Sequence, residues 1–179
     1  MLTMIRFASE AMIDKDSIYE AARYCMAEYQ KGNAVLAVVS AMEGQEAELR
    51  KKAMELNGKP SLREMDLLLS AGAQMTAALL AIALEEMEMP AVSLQAYQTG
   101  IYTTEEYGNG EIAHVDPMRI KEEIKQGKIV LAVGDQGITE DGEIVTLKNG
   151  GDAAALALAE ALQADRCIWI EEMDNRAVA

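Results

Sequence analysis

The chain has 179 residues, half of them hydrophobic and 26% charged, with only three prolines and one phenylalanine. That length suits one domain, residues 1–179, hiding roughly 70% of the surface its unfolded form exposes, and the composition excludes disorder, collagen and a disulfide scaffold. Thirty acidic residues against 16 basic ones give a formal charge of −14, which repels phosphate backbones and excludes nucleic acid as a general partner. Cys25 and Cys167 sit in apolar contexts and read as buried, reduced thiols of a cytoplasmic protein. His114 is the one histidine, so a zinc site has nothing to be built from, and no metal is expected. The start, Met1 to Arg6, lacks the marks of a signal peptide, and the apolar stretch Ala34–Met42 is broken by Ser40 and too short to span a bilayer.

In chain order, Leu2–Phe7 reads as a first strand. Asp16-Ser17 then caps a helix with apolar residues at Ile18, Ala21, Ala22, Cys25, Met26 and Tyr29. Ala34–Val39 is an unbroken aliphatic run, the mark of a strand covered on both faces. A polar helix spans roughly Glu46 to Leu56. Ser61 and Glu64 have capping-box spacing at the head of a long helix reaching toward Met87, in which Gly72 marks a bend or break. Ala91–Leu94, Ile101–Thr103 and Ile112–Val115 are short strands, and Asp116-Pro117 opens another helix. Lys128–Val133 is a second wholly apolar strand, and Asp141-Gly142 lies at a hairpin turn. After Gly150-Gly151 comes an alanine-rich helix, Ala153–Leu162, with Asp152 as its cap, and Arg166–Ile170 is the last strand. Strands alternating with helices predict an α/β fold: a three-layer α/β/α domain on a mainly parallel sheet, with Ala34–Val39 and Lys128–Val133 central.

Ligands of such sheets sit at the carboxyl ends of the strands. There the sequence offers Arg6, Ser40, the loop from Gly134 to Gly137, Gly150-Gly151 and the stretch Glu171 to Asn175. A diglycine entering a helix suits an anion, and equally serves as a tight turn. Arg6 reads as solvated or ion-paired, Ser40 as bonding a backbone group at its strand end, and His114 as an ordinary strand residue. Tyr97, Tyr102 and Tyr107 suit a pocket or an interface.

Three stretches carry a resemblance to aspartokinases, of the amino acid kinase family: Ala37–Met42, Ser61–Gln74, and Gln136-Gly137 through Thr146-Leu147 to Gly150-Gly151 and the helix beyond. The resemblance runs from Ile5 to about Asn175. It implies the N-terminal part of an amino-acid kinase catalytic domain, without the rest of the nucleotide-binding half or regulatory domains. It gives Arg6, Ser40, Gly150, Gly151 and Asp174 as vestigial cofactor-binding positions, and associates the chain with amino-acid biosynthesis.

Against the pattern that the resemblance implies, the chain departs at several positions. Where the family reads lysine-phenylalanine-glycine-glycine-threonine-serine, this chain has Arg6 to Ala11. The substrate-binding glutamate is Ala73, the arginine that grips the substrate carboxylate is Asn149, and the catalytic aspartate is Ala153. Asp135 and Asp152 replace a phenylalanine and a serine. Since losing one electrostatic donor costs about 10²–10³ in rate, the expectation is a chain that has lost phosphotransfer and serves as a binding or interaction module, with no cofactor. The alternative is a kinase for aspartate or another small acid, using Mg-ATP and completed by a second kinase-like polypeptide. The final strand with Trp169 and the Met65–Met87 helix are expected to leave apolar faces that make a homo-oligomer.

Overall fold

The computed structural model describes residues 1–173. Its core is a five-stranded parallel sheet: β1 (Leu2–Phe7), β2 (Ala34–Val39), β3 (Ala91–Leu94), β6 (Ile129–Val133) and β9 (Arg166–Ile170), in the order β3-β6-β2-β1-β9. β2 lies at the centre with β1 and β6 beside it, so neither apolar run is at an edge. Every residue of β6, and all but the first of β2, is buried, because side chains on both pleat faces meet helices.

One face packs under α1 (Lys15–Gln30) and α3 (Leu62–Glu86). Their Ile18, Cys25, Ala77, Leu80 and Leu84 interleave with Ile5, Phe7, Val39 and Leu131. The opposite face, with Met4, Leu36, Val38 and Val130, is covered by Ile120 of α5 (Met118–Lys125) and Ala154 and Leu158 of α6 (Gly150–Leu162). The three layers are those expected. A second, four-stranded sheet, not foreseen as a separate unit, stands beyond the carboxyl end of β6. It comprises β4 (Ile101–Thr103), β5 (Ile112–Val115), β7 (Gln136–Ile138) and β8 (Ile144–Thr146), ordered β5-β4-β7-β8. Three elements complete the described chain: a short 3₁₀ turn at Ser9–Ala11, α2 (Gln45–Leu56), which buries none of its residues, and the short α4 (Ala96–Thr99).

Several local expectations are corrected. The cap of α1 is Asp14, not Asp16-Ser17: its Oδ1 accepts from Ser17 N at 2.8 Å while Ser17 Oγ accepts from Asp14 N at 2.9 Å, a reciprocal box. Ser61 accepts from Glu64 N at 3.3 Å, but the Glu64 carboxylate turns away to Arg63. Gly72 neither bends nor breaks α3. A Cβ there would stand 2.9 Å from the Ala41 Cβ, so glycine lets the helix lie against the end of β2. Asp152 does not cap α6; Asn149, with φ of 64°, precedes its first turn. Cys25 is buried, and burial pushes its thiol up to about 12, whereas Cys167 is exposed on the edge strand β9. Trp169, on the same edge, is partly exposed.

The long run without charge in α3 has the length and hydropathy to cross a membrane, but half of it is buried on the sheet. At the other end of the molecule, two sunken carboxylates hold helices to strands. Glu28 meets Lys31 at 2.5 Å, Asn33 at 3.1 Å and Arg166 at 3.6 Å; Glu123 meets Arg119 at 2.5 Å and Lys128 at 2.6 Å. Hydrogen bonds from Lys31 and Lys128 lead in holding these carboxyls below the ordinary glutamate value of 4.5. Their contribution is therefore complete above that value and lost as pH falls through the lowered one. Thermal unfolding followed from neutrality to about pH 3 is expected to show a falling midpoint in the acid limb. Glu123→Gln is expected to cost about 1–3 kcal/mol at neutral pH and progressively less in acid.

Candidate functional site

Three strand-end segments and one helix start converge at the carboxyl edge of the parallel sheet. Arg6 is the penultimate residue of β1, Ser40 follows β2, Asp135 lies two residues beyond β6, and Gly150-Gly151-Asp152 begin α6. Arg6 is almost wholly buried, not solvated as one reading had it. Its Nε donates to Asp152 Oδ1 at 3.0 Å, its Nη2 donates to Ser40 Oγ at 2.8 Å, and its Nη1 donates to the Phe7 carbonyl. Ser40 in turn donates to Asp135 Oδ1 at 2.6 Å, so its partners are side chains and not the backbone group expected. The second Asp135 oxygen accepts from Ala41 N at 3.2 Å.

The chemistry of this cluster is that of a closed relay of opposite charges. Asp135 keeps some surface, but burial of its carboxyl pushes its pKa upward; the Ser40 hydrogen bond, the Arg6 charge and the Ala41 N–H pull it back. Asp152 is the outer counter-ion, its side chain 63% exposed while that of Arg6 is 8% exposed.

Glycine is required where the helix meets the strands. A Cβ on Gly151 would overlap Cζ and Nη2 of Arg6, so the guanidinium lies flat against the first turn of α6. A Cβ on Gly134 would come within 2.8 Å of Val38 Cγ1 and 3.0 Å of Gly151 Cα. Gly150, with φ of 50°, brings the chain past Asp135.

Arg6, Ser40, Gly150 and Gly151 are thus brought together, and Asp135 and Asp152 join them as the alignment implied. Asp174 lies outside the described residues. Ala73 is fully buried in the core on α3, Asn149 is exposed before α6, and Ala153 is half-buried within its first turn. No group of three or more metal-ligating side chains occurs among the described residues. Tyr97 and Tyr102 line a separate cleft of about 370 Å³ with Asp116 and Arg119, and Tyr107 does not line it. His114 is an exposed strand residue whose ring stacks on Tyr102 at 4.5 Å. Sequence reasoning missed the Ala41 N–H and Asp66. Asp66 is buried on α3, where its Oδ2 accepts from Gly108 N at 2.8 Å and Thr146 N at 3.0 Å. The one signal for it is an acidic residue at the head of the helix's long uncharged stretch.

Comparison with known proteins bears on this arrangement. A model of the amino acid kinase family matches residues 1–175. The aspartokinase of Geobacillus stearothermophilus is 45% identical over 163 residues, 90% of this chain and 40% of that protein. Aspartokinase 2 of Bacillus subtilis is 43% identical over 167 residues, 93% and 41% of the two chains. The aspartate kinase of Synechocystis superposes with a TM-score of 0.79 at 35% identity, over 94% of this chain and 28% of that one. Aspartokinase III of E. coli, solved with aspartate and ADP, gives 0.81 at 20% identity over 95% and 49%, a likeness of fold. The chain spans about two fifths of the length of the curated relatives named here.

The contact between Arg6 and Gly151 lends itself to a double-mutant cycle. Gly151→Ala is expected to cost about 1–3 kcal/mol in urea unfolding, because the new methyl evicts a pinned guanidinium, and to cost far less in an Arg6→Ala background. Asp135→Asn removes a buried charge and retains an acceptor for Ala41 N–H. Its unfolding midpoint at neutral pH is expected to equal or exceed that of the parent, while Asp135→Ala, which strands that N–H, is expected to fall below it.

Proposed function

The chain belongs to the amino acid kinase family, and we propose that this aspartokinase-like member has given up phosphoryl transfer and serves as a binding or interaction module. The observation that carries this reading is the Arg6 guanidinium lying on the Gly151 backbone, already neutralised by Asp152 and bonded to Ser40. Phosphoryl transfer depends on open, positive positioning groups around the polyphosphate. Here the cradle at the head of α6 is filled by a side chain of the protein itself, and the two carboxylates nearest it, Asp135 and Asp152, repel a polyanion. The residues therefore do not fit the nucleotide that the family implies.

The positions that the resemblance assigns to the amino-acid substrate support the same reading. Ala73 is packed in the core and offers no polar group, and Asn149 stands outside the cluster in a left-handed turn. Neither supplies charge to a dicarboxylic substrate.

The test is direct. Purified protein with Mg²⁺-ATP and aspartate, any acyl phosphate being trapped as hydroxamate, is expected to give no product above a control without protein. Turnover abolished by substituting Arg6 or Gly150 would overturn the proposal in favour of a working kinase. Turnover seen only after adding a second kinase-like polypeptide would establish the two-chain enzyme instead.

A further inference from the structure

Asparagine followed by glycine occurs at Asn57-Gly58, Asn109-Gly110 and Asn149-Gly150. Such a pair is chemically labile, because glycine, with no Cβ, lets its amide nitrogen turn onto the asparagine side chain. All three asparagines are exposed, so access to water does not distinguish them. The peptide that follows does. The Gly110 N–H donates to the Thr146 carbonyl at 2.8 Å, and Gly110 is buried against Val145 in the outer sheet. The Gly150 N–H donates to the Leu147 carbonyl at 3.0 Å where α6 begins. Turning either nitrogen breaks a hydrogen bond of the fold. Gly58 lies in the turn between α2 and α3, exposed along with Asn57 and Lys59, and among the described residues its N–H has no acceptor. Asn57 Oδ1 accepts from Lys59 N at 2.9 Å, which folds the carboxamide back over the Gly58 peptide and polarises it.

We infer that Asn57 is a site of spontaneous covalent modification, with the Gly58 nitrogen as nucleophile and water as the only co-reactant. The Gly58 nitrogen gives up its proton and bonds to Asn57 Cγ. The bond from Cγ to Nδ2 breaks, and ammonia leaves with that proton. Water then opens the five-membered succinimide. Cleavage at Cγ leaves aspartate; cleavage at the main-chain carbonyl leaves isoaspartate, whose main chain runs through Cβ and Cγ. One water is taken up and one ammonia released, and nothing is oxidised or reduced. Either product adds a carboxylate to a chain of formal charge −14. It does so at the C-terminal end of α2, two residues from Glu55, where the helix dipole disfavours negative charge. The inference is independent of whether the strand-end cluster transfers phosphate.

Purified protein kept folded in warm, mildly alkaline buffer and sampled over days to weeks is expected to lose the side-chain amide at Asn57 while Asn109 and Asn149 keep theirs. Peptide mapping by mass spectrometry reads the conversion, and an isoaspartyl methyltransferase labels the rearranged product. In urea, where no hydrogen bond holds Gly110 or Gly150, all three asparagines are expected to react at comparable rates. Gly58→Ala is expected to slow the reaction at Asn57 about tenfold or more, since the added Cβ hinders the nucleophile. Gly58 lies outside the left-handed region and a Cβ there meets nothing within 4 Å, so this variant keeps the fold. Asn57 reacting no faster than Asn109 and Asn149 in the folded protein overturns the inference. So does a preference for Asn57 that persists in urea, which would belong to the neighbouring residues and not to the fold.

Discussion

A guanidinium buried at the end of a parallel strand has to find anions or carbonyls nearby, and the architecture around Arg6 is arranged by that demand. Its three nitrogens reach four structural segments: its own strand at Phe7, the end of β2 at Ser40, through Ser40 the loop after β6 at Asp135, and the first turn of α6 at Asp152. The two glycines facing each other across this point, Gly134 and Gly151, allow the segments to converge on one side chain. The carboxyl edge of the sheet, where folds of this class leave room for a ligand, is thereby cross-linked by the protein's own charges.

This gives the likeness to aspartokinases a definite physical content. The parts that make the scaffold are retained: the apolar central strands, the long helix with its capping serine, the turn and the alanine-rich helix. The departures from the pattern that the resemblance implies include Arg6, Asp135 and Asp152, and in this structure those three side chains meet around Ser40. Arginine, longer and more branched than lysine, reaches Asp152 and lies flat on glycine. Asp152 serves as its counter-ion, and Asp135 holds Ser40 toward it. Together with Ser40 these side chains make a satisfied network.

How far the sequence reveals this depends on the range over which each signal acts. Ala34–Val39 and the strand ending at Val133 are legible because burial on both faces forbids polar residues anywhere along them. The convergence of Arg6, Ser40, Gly150 and Gly151 is legible only through the resemblance, since their spacing in the chain says nothing about distance in space. Caps are less legible: Asp14, Asp16 and Ser17 are all competent, and only the fold shows that Asp14 takes the cap, with Ser17 closing the box. Asp152 looks like a cap by position, yet a buried arginine outcompetes the helix's own N–H groups for its carboxylate. Gly72 reads as a breaker because its tertiary reason, the nearness of Ala41, lies on another element. Cys167 looks buried from its apolar neighbours, but the alternation of a strand at the sheet edge leaves it in water.

The buried carboxylate of Asp66 ties the outer sheet to the helical layer that covers the parallel one. One of its oxygens accepts from both the N–H at the turn beside β5 and the N–H at the end of β8, so the outer sheet is anchored to the N-terminal part of α3 there, as it is by the Arg63–Glu143 ion pair at 2.8 Å. From Thr146 the chain runs only a few residues to Asn149 and the glycines beneath Arg6. The outer sheet is therefore tied through a few residues to the head of α6. The turn beneath the Arg6–Asp152 pair is thereby anchored at one end by α3 and at the other by α6.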